Sequence, residues 1–75
     1  MANLHEEIWR YEDDRVFACV IRHVPHYLET GMGELRIELP GRPRITLPVP
    51  ISPHSPTEED DMQWFSQVQL YTQEP

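Results

Sequence analysis

Cys19, His23, His26 and His54 look at first like metal ligands, and a histidine can also move a proton. Their spacing limits what they can do. The run Arg15-Val16-Phe17-Ala18-Cys19-Val20-Ile21 is rich in β-branched and aromatic residues and reads as a strand. On a strand Cys19 and His23 share a face but lie about 13 Å apart, at roughly 3.3 Å per residue. One ion, held at bonding distance by each ligand, cannot bridge that gap. A helix would bring the two together, but the β-branched run and Pro25 oppose one. His23 and His26 can still approach across a bend at Pro25. That pair carries the metal-binding or catalytic alternative. Histidine can act as a general base, yet nothing in the sequence orients one. Gly31-Met32-Gly33 is too short and isolated for a phosphate loop. The expectation is no enzyme, no metal and no cofactor.

The acidic residues carry the stronger signal. Thirteen carboxylate residues face six arginines, with no lysine, for a net charge of −7 in 75 residues. Such a charge excludes nucleic acid as the direct partner and favours a basic protein surface. Glu12-Asp13-Asp14 form one acidic cluster and Glu58-Glu59-Asp60-Asp61 another. Negative charge in the first turn of a helix complements its dipole, which explains two or three of the second group. The remainder is available to a partner. Pro50-Ile51-Ser52-Pro53 and Pro53-His54-Ser55-Pro56 fit a bare PxxP pattern. Neither has the arginine that orients such peptides, so both read as a stiff connector.

These groups must be positioned by one small domain, since 75 residues are too few for two. The lone Cys19 permits no internal disulfide and fits a reducing compartment. The start of the chain lacks the basic and apolar segments of a signal peptide, and no apolar run is long enough to span a membrane. A cytoplasmic location is expected, with no membrane contact. The ends, residues 1–5 and 72–75, are expected to fray.

Three segments follow one another: a hairpin over 6–24, a hairpin over 34–51 and a C-terminal helix. In the first, a two-residue turn at Asp13-Asp14 would pair Tyr11 with Val16 and Trp9 with Ala18. Trp9, Tyr11, Val16, Ala18 and Val20 then form a wholly apolar face, the core. Ile8, Arg10, Phe17, Cys19, Ile21 and His23 fall on the other face. In the second hairpin, Leu35, Ile37 and Leu39 alternate with charged residues, as do Ile45, Leu47, Val49 and Ile51 with polar residues or proline. Keeping the apolar face whole pairs Ile37 with Ile45 and Leu35 with Leu47, through an odd loop centred on Gly41, and sets Glu38 opposite Arg44. Gly31 to Gly33 reads as a turn. Pro48 and Pro50 remove two amides on one side of the last strand, so it must be an edge. Ser55-Pro56-Thr57-Glu58 reads as a helix start with Ser55 as N-cap. The helix then runs to about Tyr71, burying Trp64, Val68 and Tyr71 with Phe65 and Met62 beside them.

The sequence thus predicts an α+β fold: a four-stranded antiparallel sheet of two consecutive hairpins with one C-terminal helix packed on one face. The function it favours is a small acidic protein-binding module, an adaptor or inhibitor that occupies a basic site on a larger protein. The expected contact residues are Ile8, Arg10, Phe17, Cys19 and Ile21, with Glu12, Asp13, Asp14, Glu59 and Asp60 at the acidic rim. The alternatives are a homodimer that buries the second sheet face, and the metal or catalytic reading at His23 and His26.

Overall fold

Alternation of apolar and polar residues sets four strands that pair strictly with their sequence neighbours. The computed structural model describes residues 4–73. It contains β1 (Leu4–Glu12), β2 (Phe17–Val24), α1 (His26–Thr30), β3 (Met32–Glu38), β4 (Ile45–Pro50) and α2 (Glu58–Thr72). The sheet order is β1-β2-β3-β4 and every neighbouring pair is antiparallel. Leu4, His5 and Thr72, placed in the fraying ends by the sequence, lie within β1 and α2; positions 1–3 and 74–75 are outside the described residues.

The β1–β2 register differs from the expected one. Tyr11 pairs with Ala18 and Trp9 with Val20, two residues further along β2. A tight two-residue turn needs positive φ at the first or at both central positions, and among the described residues only glycines have positive φ. Asp13 builds a four-residue loop instead. Its Oδ1 accepts from the amides of Arg15 and Val16 at 2.8 and 2.9 Å, and its own amide donates to the Val16 carbonyl. A slip of two preserves the strand faces, so Trp9, Tyr11, Ala18 and Val20 stay together.

A bulge interrupts β1 between Glu7 and Trp9. It turns Ile8 onto the side of Trp9, where it packs against the core. Ile8 therefore leaves the second face to which the alternation assigned it.

β3 and β4 pair as expected, with Ile37 opposite Ile45 and Leu35 opposite Leu47. Pro40-Gly41 forms the turn, with Gly41 at φ 71° and the Arg42 amide bonded to the Leu39 carbonyl at 3.2 Å. The ladder ends at Ile37 and Ile45. Arg44 lies beyond it in the loop, and among the described residues it forms no ion pair with Glu38. Pro48 and Pro50 lie on the sheet edge.

Two local features escape sequence periodicity. The five-residue α1 follows β2 and is tied down by the Tyr27 hydroxyl, which reaches the carbonyls of Ile51 and Ser52 at 3.2 and 3.3 Å. Gly33 is buried inside β3, so only Gly31 belongs to the expected turn.

The N-cap of α2 is Thr57 rather than Ser55. Thr57 Oγ1 accepts from the Asp60 amide at 3.1 Å while Asp60 Oδ2 accepts from the Thr57 amide at 3.3 Å, a reciprocal capping box. Thr57→Ala is expected to cost about 1 kcal/mol. Ser55→Ala should cost clearly less, and paired thermal melts would decide between the two caps.

The core joins both layers: Ala18, Val20, Leu35, Ile37, Val49 and Ile51 from the sheet side and Trp64 and Val68 from α2. Trp9 meets Trp64 edge to face at 5.7 Å, and Tyr11 tilts against Phe65 at 5.2 Å. Met62, expected beside the buried stripe, is 68% exposed and points to solvent. Tyr71 is likewise exposed. The result is a four-stranded antiparallel sheet with α2 on one face.

Candidate protein-binding face

α2 covers one face of the sheet, and the other holds Arg10, Glu12, Phe17, Cys19 and Ile21, half of the ten contact residues expected from the sequence. Cross-strand register arranges that face in rows. Glu12, Phe17 and Glu38 form one row; Arg10, Cys19, Arg36 and Thr46 the next; Glu7, Ile21, Glu34 and Pro48 the third. β2 thus lays an apolar stripe down the centre, and the strands on either side both read Glu-Arg-Glu at matching heights.

The arginines are clamped in place. Arg10 bonds both Glu7 oxygens at 3.0–3.2 Å and Glu12 at 3.0 Å. Its guanidinium carbon lies 5.3 Å from the Phe17 ring centre. Arg36 bonds Glu34. Contacts with Glu7 and then Glu12 raise the Arg10 pKa further, so it stays charged at any ordinary pH. Burial pushes the Glu34 carboxyl up, but Arg36 and His23 outweigh that and hold it below the ordinary carboxylate value. Exposed pairs of this kind add little stability. Their effect is to fix where charge is presented.

The same pairs alter the expected picture of a bare apolar patch. Phe17 and Ile21 are only half-buried, but Cys19 is 5% exposed beneath the arginine row. Burial, then the charge of Glu7, raises its pKa and keeps the thiol protonated. It is a packing residue rather than a nucleophile.

The acidic residues divide by role. Glu12 is exposed on the open face, and Asp14 and Glu59 are exposed in the first loop and on α2. Asp13 is bound to its own loop: the Arg15 amide, the Tyr11 hydroxyl at 2.8 Å and the Val16 amide together lower its pKa. Asp60, expected at the rim, is 7% exposed and turned inward. Its Oδ2 accepts from Ser52 Oγ at 3.0 Å as well as from the Thr57 amide. Asp61 accepts from Trp9 Nε1 at 2.5 Å. Glu7, Glu34, Arg36 and Glu38 were not singled out as site residues. The alternation showed that they face solvent, but only the β2–β3 register places them beside Phe17, Cys19 and Ile21.

His5, His23 and His26 gather at one end of the sheet, while His54 is exposed in the connector before α2. His23 lies edge to face with His5 at 4.5 Å, and its Nε2 is 3.6 Å from Glu34 Oε1. His23 and His26 border a cleft of about 240 Å³ with Glu34 and Pro48, and a second of about 230 Å³ with His5 and Glu29. Among the described residues, no three His, Cys, Asp or Glu side chains meet in a way that could hold a metal ion.

Asp60 is one of the groups through which acid is expected to destabilise the fold, beside Asp13 and Glu34, whose carboxyls are lowered as well. Burial raises the Asp60 pKa, but the nearby hydroxyls of Ser55 and Ser52 and the Thr57 amide outweigh burial and leave it lowered. The folded value is below the unfolded one, so the unfolded chain binds more protons and stability rises with pH. The contribution is complete above the unfolded value and disappears as pH falls through the folded one. Melting temperature should therefore drop below the ordinary carboxylate range, and less steeply in Asp60→Asn. Parallel curves for the two proteins would exclude Asp60 as one of the groups responsible.

Fold and face together define a small α+β sheet protein with one open, charge-patterned face. The chain matches no known family model, no curated protein and no solved structure. No helix among the described residues is long and apolar enough to cross a membrane.

Proposed function

We propose that this chain is a small acidic protein-binding module, an adaptor or inhibitor that occupies a basic surface on a larger protein and performs no catalysis itself. The observation that carries this reading is the open sheet face. A half-buried apolar stripe, Phe17 to Ile21, runs between two Glu-Arg-Glu rows, with four carboxylates against two guanidinium groups. Apolar contact supplies affinity at the centre, and fixed charge sets orientation and encounter rate at the rim. The overall charge of −7 acts in the same sense and disfavours direct contact with nucleic acid. A single buried thiol supports a reducing compartment such as the cytoplasm as the setting of this module.

A capture experiment from extract of the native host tests this, run with wild type and two variants. Glu12→Lys/Glu38→Lys inverts the outer charges, and Phe17→Gln removes the aromatic centre without adding charge. The expected result is one stoichiometric partner, held at low salt by wild type, released at high salt and lost from both variants. Both variants should melt near the wild-type temperature. Equal capture by all three proteins would remove the open face as the binding surface.

A further inference from the structure

We infer that two copies of this chain join edge to edge through β1, antiparallel about a two-fold axis between Ile8 and Trp9, to give one continuous eight-stranded sheet. This goes beyond the partner reading, because it uses the sheet edge rather than its open face.

The two edges of the sheet differ. β4 carries Pro48 and Pro50, which supply no amide to another strand. β1 is nine residues long, contains neither proline nor glycine, and among the described residues has no strand on its outer side. A bulge in an edge strand often discourages pairing. Here the bulge makes the strand self-complementary. It puts Ile8 and Trp9 on one side, so that His5, Glu7, Arg10 and Glu12 share the open face, while Glu6, Ile8, Trp9 and Tyr11 share the core face. Without the extra residue, a two-fold axis between Ile8 and Trp9 would oppose residues from different faces.

With it, the axis sets Glu7 opposite the second copy's Arg10, and Arg10 opposite its Glu7. His5 and Glu12 meet in the same reciprocal way. On the core side Ile8 meets Trp9 in both directions. Each open-face pair is thus of opposite charge or a histidine with a carboxylate, and the central pair is apolar, the combinations that stabilise antiparallel neighbours. The helix adds to this. Asp61 and Phe65 of α2 reach Trp9 and Tyr11 of β1. At about 100° per residue, Met62 lies on the flank that overhangs the same edge. It is 68% exposed, and the two-fold brings the two α2 helices together on the same side of the joined sheet.

Sedimentation of the purified full chain over micromolar to submillimolar concentrations tests the inference. The wild type is expected to dimerise. Glu7→Arg opposes two arginines at each end of the interface, and Arg10→Glu opposes two glutamates. Each should weaken self-association about tenfold or more, with an unchanged circular dichroism spectrum. An equimolar mixture of the two variants should dimerise, because every altered site then faces an opposite charge. The double exchange Glu7→Arg/Arg10→Glu should dimerise alone, and it keeps the pair within the strand should either single variant fold poorly. A wild type that stays monomeric throughout overturns the inference. So do single variants that associate like wild type, or a mixture and a double exchange that both stay monomeric.

Discussion

Gly33→Ala is expected to lower the melting temperature by about 10 °C or more, although alanine is ordinarily a mild replacement for glycine. Gly33 lies inside β3, opposite Val49 and buried under the connector to α2. A Cβ there would sit 2.2 Å from Ile51 Cδ1 and 2.8 Å from the Ile21 carbonyl oxygen. The Ile51 side chain is 4% exposed and has little room to rotate away. The Ile21 oxygen is worse, since moving it means moving the centre of the sheet. Overpacking of this sort costs about 1–3 kcal/mol, and in so small a domain each kcal/mol shifts the midpoint by roughly 4–8 °C. Gly31→Ala is the control. Gly31 has nothing within 4 Å of the added atom, so only its left-handed backbone, φ 70°, is penalised. Gly33→Ala costing no more than Gly31→Ala in thermal melts would show that the close approach at Ile51 relaxes freely.

Gly33 also marks where the sequence was readable and where it was not. Strand identity, faces and the second hairpin's register follow from period-two alternation, because a one-residue slip would have put Arg44 in the core. The first hairpin's register does not follow in the same way. A slip of two leaves every residue on its own face, so the pattern of Trp9, Tyr11, Ala18 and Val20 cannot choose between the two pairings. The choice is made by Asp13, whose carboxylate closes a four-residue loop through the Arg15 and Val16 amides. The bulge at Ile8 is invisible for a related reason: Ile8 and Trp9 are both apolar and either could face inward. At the helix start, Ser55, Pro56 and Thr57 offer two plausible caps. Each has an acidic residue three positions on, Glu58 and Asp60, so the pattern alone does not choose; the fold forms the capping box at Thr57 and Asp60. That same bond withdraws Asp60 from the acidic surface. Of the open face, the β2 stripe was legible from composition, while the arginine roof over it required knowing which residues of β1 and β3 stand beside it.

Trp64→Ala is expected to unfold most of the chain at ambient temperature. Trp64 is fully buried, the largest side chain in the core and the point where α2 meets Trp9. Truncating a buried tryptophan costs about 3–5 kcal/mol. At roughly 0.05–0.15 kcal/mol per residue, a chain of 75 residues has a total stability of similar size. Trp64→Phe separates the causes. The Trp64 Nε1 is buried and among the described residues has no hydrogen-bond partner, so removing it breaks none of their bonds and relieves a desolvated donor. Phe should therefore recover most of the loss, leaving only the missing ring volume, with Trp9 as the fluorescence reporter of both melts. A Phe variant as damaged as the Ala variant would mean that the indole nitrogen is bonded in solution. The comparison bears on function as well. Trp64 is on the core face, so its loss should abolish partner capture only by unfolding the sheet. Phe17→Gln should abolish capture with the melt intact. That difference assigns the two faces of the sheet to stability and to recognition.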